Sequence, residues 1–171
     1  MGPASGRLAG SRYFSPCKLL TAPGVKAAFS GLAVDTTSIA FTYAEGATRF
    51  DAGGSKMYNT LNGSCSYPVT GAGGRKFIVA LSTEQVFDNI SLSSLIRSYR
   101  RDATNEKING VGQAAKIGTF IPDSNKKYDP ELLIGYPYTL VTVQLREFKG
   151  TDAQRMEYLK MIAKQMPARL P

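Results

Sequence analysis

The amino-acid sequence predicts an α+β fold, in which an antiparallel sheet of hairpins is packed by an N-terminal, a middle and a C-terminal helix. Three observations lead to this fold class. The β-type runs come in pairs joined by short turns, and they do not alternate with helices as they would in a parallel sheet. Apolar residues at helical spacing occur near the start, the middle and the end of the chain. The length of 171 residues suits one domain.

The beginning of the chain combines a polar arm with two short helical segments. Residues 1–14 are rich in Gly, Ser and Ala, and we interpret them as a disordered arm or an expression scar. The single α+β domain is predicted over residues 15–171. Ser15 and Pro16 have the pattern of an N-cap followed by proline at the first helical position, which predicts a short helical turn. A second helix is predicted over 22–29, because its apolar residues fall on one face.

A β-hairpin is predicted in the first half of the chain. It consists of a short strand over 65–70 and a strongly apolar strand over 75–82, joined by the Gly-rich turn 71–74. Pro68 has no amide hydrogen, so the first of these strands is expected to lie at a sheet edge or to end there.

The sequence before this hairpin predicts few strand residues. Residues 38–43 are β-branched or aromatic in part and predict one strand. Residues 44–64 contain many Gly and Asn residues, so we interpret them as a long loop with at most a short strand near 56–58.

The second half of the chain predicts two helices and three strands. A middle helix is predicted from Ile90 to about Ala103, because apolar residues repeat at i, i+3, i+4 and i+7 from Leu92. The C-terminal helix is predicted to begin with a capping box of Thr151 and Gln154. The strands are predicted over 111–121, 131–134 and 138–148, the last two as a hairpin.

The composition excludes several kinds of chemistry. The chain contains no histidine, which removes Ser–His and Cys–His catalysis and histidine-ligated metal sites. Cys17 and Cys65 are the only cysteines and are too few for a Cys₄ zinc site. Two alternatives remain for them, a structural disulfide in an exported protein or two buried thiols in a cytosolic one. We expect no metal and no cofactor.

Two groups of residues are candidates for a binding surface. Arg97, Arg100 and Arg101 fall on the predicted middle helix and could form a patch for an anionic partner. A solvated helix face is the favoured interpretation, and nucleic acid is a disfavoured partner because no helix-turn-helix or exposed aromatic pattern accompanies the arginines. Tyr136 and Tyr138 flank Pro137 in a predicted turn and are candidates for a ligand or partner surface.

Catalysis is disfavoured. Asp51, Glu84, Asp88 and Asp129 lie near predicted element ends, but no pair has a spacing that makes the carboxylates converge. The Gly-rich run over 70–76 precedes a strand, whereas a phosphate-binding loop precedes a helix, so a hairpin turn is favoured there. We therefore predict no catalytic residue.

Several short motifs resemble those of exported lipoproteins of unknown function that are common in actinobacteria. The run over 16–20 reads Pro-Cys-Lys-Leu-Leu, Cys65-Ser66-Tyr67 places an aromatic residue two after the cysteine, and 110–114 reads Gly-Val-Gly-Gln-Ala. The resemblance implies a PsbP-like α+β sandwich and a Cys17–Cys65 disulfide that ties the first helix to a strand. It also implies export and a lipid anchor upstream of residue 1, and it supplies no catalytic residues.

The leading functional hypothesis is a non-enzymatic extracytoplasmic domain of the cell envelope, anchored to the membrane only through a missing N-terminal segment. Such a binding or accessory domain would take a protein, an envelope polymer or a small ligand. The net charge of +8 favours anionic surfaces such as phospholipid headgroups or teichoic-type polymers. The alternatives are an intracellular basic module that binds nucleic acid or an acidic protein, with both cysteines reduced, and an enzyme that uses a carboxylate or a tyrosine.

Overall fold

The structure is a computed structural model that describes residues 15–35, 40–50, 57–86, 102–120, 129–137 and 139–171. Within these ranges the chain forms eight strands and two α-helices. The strands are β1 (Ala33–Val34), β2 (Ala40–Phe50), β3 (Met57–Thr70), β4 (Lys76–Val86), β5 (Asp102–Ile108), β6 (Ala114–Phe120), β7 (Pro130–Tyr136) and β8 (Thr139–Arg146). The helices are α1 (Ala22–Ala28) and α2 (Asp152–Ala163), with single 3-10 turns at Pro16–Lys18 and Ala72–Gly74.

The eight strands form one sheet in which all described pairings are antiparallel. The order is β1-β3-β4-β8-β7-β6-β5, and β2 pairs with β3 on the side that also carries β1. Two antiparallel groups, β1–β4 and β5–β8, are therefore joined by the single ladder between β4 and β8. This arrangement confirms the α+β class and the antiparallel sheet that the sequence predicts.

One face of the sheet carries the core, because apolar residues alternate along the central strands. In β3 and β4 every second side chain is buried on this face: Cys65, Tyr67, Val69, Phe77, Val79 and Leu81. The helices cover this face with their own buried residues: Val25, Ala28, Leu159, Ile162 and Ala163. Helix α2 contacts β6, β7 and β8, whereas α1 contacts β1 and α2.

Both helices begin at the threonine caps that their sequences contain. The Thr21 hydroxyl accepts a hydrogen bond from the Gly24 amide at 3.2 Å. Thr151 and Gln154 form the predicted capping box, because each side chain accepts a hydrogen bond from the other residue's backbone amide. The start of the C-terminal helix is thus determined by local sequence.

Two buried tyrosines of the sheet form hydrogen bonds with the segments next to the two helices. The Tyr67 hydroxyl of β3 donates a hydrogen bond to the Leu20 carbonyl, immediately before α1. The Tyr136 hydroxyl of β7 donates to the Pro167 carbonyl, after α2, at 2.7 Å. Each hydroxyl satisfies a backbone carbonyl that lies outside regular secondary structure.

The predicted loop over 44–64 is wrong, because most of it is strand. β2 extends to Phe50 and β3 begins at Met57. The two strands pair along almost their whole length with one irregularity between Glu45 and Ala47. Ladder hydrogen bonds join backbone groups, so the pairing of β2 with β3 outweighs the low β propensity of Gly and Asn.

The prediction that Pro68 marks an edge or the end of its strand is also wrong. β3 continues to Thr70 and lies between β4 and the β1–β2 side. The β2 ladder ends at Ser66 and the β1 ladder begins at Val69, so Pro68 occupies the position where β3 changes partner. Its carbonyl accepts from the Asp35 amide at 2.9 Å, and no ladder bond there requires the missing donor.

The middle helix and the three-helix packing stay predictions. The end of the predicted helix is wrong, because Asp102 begins strand β5. Residues 90–101 lie outside the described residues, and the PsbP-like sandwich depends on that helix.

Alkaline pH should destabilise the fold through Tyr136. Burial raises the pKa of Tyr136 well above its ordinary value, so the folded state holds this proton more tightly than the unfolded state does. The resulting stabilisation is complete below about pH 10, the unfolded pKa, and is lost as the pH rises towards the folded pKa.

The test compares wild type with Tyr136→Phe by denaturant unfolding at pH 7, 9, 10 and 11. At pH 7 we expect the variant to be less stable by about 1 kcal/mol, because the bond to Pro167 is lost. Above about pH 10 this difference should shrink, since only wild type carries the tyrosine that ionises on unfolding. A difference that stays constant to pH 11 would contradict the prediction.

Candidate functional site

Cys17 and Cys65 form a disulfide, which resolves the alternative left open by the residues alone. Their Cα atoms are 5.5 Å apart, and the bond joins the first 3-10 turn to β3 across 48 positions of sequence. Closing a loop of this length lowers the entropy of the unfolded chain and stabilises the fold by about 4 kcal/mol in the loop-closure model.

Gly63 allows the N-terminal segment to approach the sheet beside this disulfide. A Cβ atom at Gly63 would lie 2.6 Å from Pro16 Cγ and 2.9 Å from Thr83 Oγ1. Both distances are shorter than van der Waals contact, so any larger residue would push Pro16 away from β3. The disulfide and Gly63 together determine the position of the segment around Pro16 and Cys17 on strand β3.

A cleft of about 480 Å³ lies where β4 begins, β8 ends and α2 begins. Its position follows from the β4–β8 register, in which Ile78 is opposite Arg146. This pairing places the turn before β4 beside residues 147–150, and the first turns of α2 form the remaining wall. We call this site the basic–aromatic cleft, and its lining includes Arg75, Lys76, Phe77, Phe148, Lys149, Ala153, Glu157 and Tyr158.

Three aromatic rings form the apolar part of the basic–aromatic cleft. The Phe148 ring centroid lies 5.5 Å from that of Phe77 and 5.3 Å from that of Tyr158, both in edge-to-face geometry. Phe29, the C-cap residue that follows α1, packs behind them, with its ring centroid 5.6 Å from that of Phe77 and 5.2 Å from that of Tyr158. Phe29 and Phe77 are buried, whereas Phe148 and Tyr158 are partly exposed and can contact a ligand.

Three cationic residues line the cleft together with these rings. Arg75, Lys76 and Lys149 are exposed, and none of them forms a salt bridge with another residue in the part of the chain that the structure describes. Glu157 is the one carboxylate among the described residues of the lining, and it contacts Lys160 at 3.0 Å. The cleft is therefore positively charged, and its cations are available to an anion.

Lys160 forms salt bridges with two carboxylates, one of which is Glu157 of the cleft. Lys160 contacts Glu106 of β5 at 2.9 Å as well as Glu157. Hydrogen bonds to Glu106 and then to Glu157 raise the pKa of Lys160, so the amine stays protonated. The negative charge of Glu157 is therefore partly compensated from outside the cleft.

The segment between β8 and α2 folds tightly. Glu147 has a φ of 59°, a left-handed conformation that is unusual for a residue with a Cβ atom. A Cβ atom at Gly150 would overlap the Phe148 ring and would lie 2.7 Å from Gln154 Oε1. Glycine at 150 therefore allows Phe148 to fold back over the start of α2 and form the wall of the cleft.

The buried side chain of Arg155 packs against this segment and stabilises its conformation. Its side chain is 6% exposed, and its guanidinium donates to the carbonyls of Leu145 and Phe148. The same group lies 5.0 Å from the centroid of the Phe148 ring and 3.4 Å from Asp129 Oδ2. A buried cation thus binds the end of β8, the turn and the aromatic wall at once.

Arg155 was not predicted as a site residue, although its position in the sequence indicates that its side chain is buried. Arg155 precedes Leu159 by four residues and Ile162 by seven, so it lies on the buried stripe of α2. An arginine on the apolar face of a helix indicates a buried partner, here two backbone carbonyls and a carboxylate.

Among the predicted site residues, Cys17 and Cys65 come together in the disulfide. Tyr136 was predicted at a surface, but it is fully buried because its ring faces the helical layer and its hydroxyl bonds to Pro167. Tyr138 lies outside the residues whose side chains are described, as do the other unassigned candidates: Arg97, Arg100, Arg101, Asp51 and Asp88. Glu84 is buried in β4, and Asp129 is exposed beside Arg155. The Gly-rich run over 70–76 includes the predicted hairpin turn and borders the cleft.

The described residues contain neither a cluster of metal ligands nor a helix suited to cross a membrane. No cluster of three or more His, Cys, Asp or Glu side chains able to hold a metal ion is found among them. Within the same residues, no helix combines the length and the apolar character needed to cross a membrane.

Fold and site define an α+β domain with a disulfide-tethered N-terminal segment and a positively charged aromatic cleft. Comparisons with protein-family models, with curated proteins and with solved structures give no match to this chain. The similarity to exported lipoproteins therefore stays an expectation from short motifs.

Replacing Arg155 should destabilise the fold far more than replacing an exposed arginine nearby. Arg155→Met keeps much of the side-chain volume but leaves the Leu145 and Phe148 carbonyls without their donors. We expect a loss of about 2–4 kcal/mol of unfolding free energy. Arg146→Met, at an exposed position two residues from Phe148, should change it by no more than about 0.5 kcal/mol. Denaturant unfolding of both variants checks this, and equal losses would contradict the structural role of Arg155.

Proposed function

We propose that this protein is a non-enzymatic, extracytoplasmic binding or accessory domain, and that the basic–aromatic cleft is its ligand site. The observation that carries this proposal is the set of three exposed cations around partly exposed rings. Arg75, Lys76 and Lys149 have no salt-bridge partner among the described residues, so an anion that binds there replaces none of the ion pairs that the described residues form.

The size and position of the cleft also support a binding role. A volume of about 480 Å³ lies within the usual range for small-ligand sites. The walls come from the sheet and from a capped helix, so the site is largely preformed and little ordering entropy is lost on binding. Glu157 already forms a salt bridge with Lys160. Among the described residues of the lining, no nucleophile has a general base within hydrogen-bond distance.

The disulfide supports an extracytoplasmic location. Such bonds persist mainly in oxidising compartments, because cytosolic thiol systems reduce them. Cys65 is fully buried and Cys17 is partly buried, which is typical of a structural bridge.

The location can be tested through the redox state of the two cysteines. Freshly lysed source cells are treated with an alkylating agent under denaturing conditions, with and without prior reduction, and the intact mass of the chain is measured. We expect both cysteines to resist alkylation until they are reduced, and no disulfide-linked dimer. Free alkylation without reduction would contradict an oxidising compartment and would favour the cytosolic basic module instead.

The binding role can be tested with tripolyphosphate, an anion without an apolar part. We expect saturable binding that weakens as salt is added, because exposed charges are screened. The triple variant Arg75→Gln, Lys76→Gln, Lys149→Gln should lose at least tenfold in affinity. Isothermal calorimetry gives the affinities, and amide chemical shifts should change around Gly71 and Gly150.

The matched control removes the same charge elsewhere. Lys18→Gln, Lys107→Gln, Lys164→Gln also lowers the net charge by three at exposed positions outside the cleft. If this control weakens binding as much as the cleft variant does, the anion responds only to net charge, and the cleft is not the ligand site.

A further inference from the structure

We infer that the basic–aromatic cleft selects small amphipathic organic anions, in which one carboxylate, sulfonate or phosphate group is attached to an aromatic ring or a compact apolar body. This inference rests on the proposed function and specifies its ligand class. The cations at the mouth of the cleft would bind the acid group, and the aromatic wall would contact the apolar body.

The aromatic wall is the first observation behind this ligand class. Phe148 and Tyr158 are both partly exposed, although each also packs edge-to-face on a neighbouring ring. Partly exposed apolar rings that line a concave site gain free energy when a ligand removes water from them. An ion without an apolar part cannot use these rings, so charge alone does not account for the site.

The rigidity of the wall is the second observation. Arg155 binds the Phe148 carbonyl and lies over the Phe148 ring, and Gly150 lets the same ring pack against the start of α2. A ring fixed from two sides presents a preformed surface, which lowers the entropic cost of binding. An exposed aromatic residue on a mobile loop would lack this property.

The volume and the charge distribution limit the size of the ligand. A cleft of about 480 Å³ lies in the size range of sites that bind compact small molecules. Arg75 and Lys76 line the cleft at the start of β4, and Lys149 lines it from the segment after β8. An acid group at the mouth can thus contact cations from both walls while the apolar body lies against the rings.

The test uses two sulfonates that differ in their apolar body. We expect naphthalene-1-sulfonate to bind at least tenfold more tightly than methanesulfonate, and we expect the advantage to disappear when the cleft is filled. Ala153 is an exposed residue of α2 that lines the cleft, so Ala153→Gln adds a blocking side chain without entering the core. Calorimetry and amide chemical shifts measure both ligands on both proteins.

Two controls make the outcome specific. Ala27→Gln introduces the same side chain at an exposed position of α1 outside the cleft and should leave the affinity for naphthalene-1-sulfonate unchanged. Phe148→Leu, a second variant, keeps an apolar wall but removes the ring, and it should lower the preference for the aromatic sulfonate. Circular dichroism confirms that each variant is folded.

The results separate this inference from the function on which it rests. Binding of tripolyphosphate at the cleft, together with equal affinities for the two sulfonates, would overturn the ligand class and leave the anion-binding role intact. Absence of binding by all three anions would overturn both. A preference for the aromatic sulfonate that Ala153→Gln does not reduce would place the apolar contact elsewhere and would also overturn the inference.

Discussion

The ladder between β4 and β8 is the contact on which the rest of the structure depends. It joins the two antiparallel groups of strands into one sheet, and it brings Phe77 of β4 close to Phe148, which lies two residues after β8. The register matters as much as the pairing, because successive side chains of a strand point to opposite faces. A slip by one residue would turn Phe77 away from the helical layer and would remove the aromatic wall of the cleft.

The helical layer is attached to this sheet by a small number of polar and covalent links. The Cys17–Cys65 bridge and Tyr67 hold the N-terminal segment, and Tyr136 and Arg155 hold the segments after and before α2. The tyrosine links satisfy carbonyls outside regular secondary structure, which would otherwise be costly to bury. Arg155 donates to the carbonyls of Leu145 in β8 and of Phe148 after it. Arg155 also supports the Phe148 ring, so the stability of the layer and the shape of the candidate site depend on the same side chain.

The parts of the fold that the sequence predicted correctly are those determined by nearby residues. The hairpin around the Gly-rich turn and the capping box of Thr151 and Gln154 are local features, and the structure contains both. The strands over 44–64 were missed because their Gly and Asn residues have low β propensity, whereas the strands are held by backbone pairing of β2 with β3 and of β3 with β4. The burial of Tyr136 was missed for a related reason, since a short turn does not show which face of the sheet its flanking residues occupy.

The amino-acid sequence by itself determined the fold class, the positions of the helix caps and the absence of histidine-based chemistry, because each depends on composition or on residues a few positions apart. The tertiary structure alone decided between bridged and free cysteines and assembled the candidate site. Lys76, Lys149 and Tyr158 come from three separate segments, and no local pattern relates them. They meet because strand register and helix docking bring distant residues together, and those contacts form only when the whole sheet does.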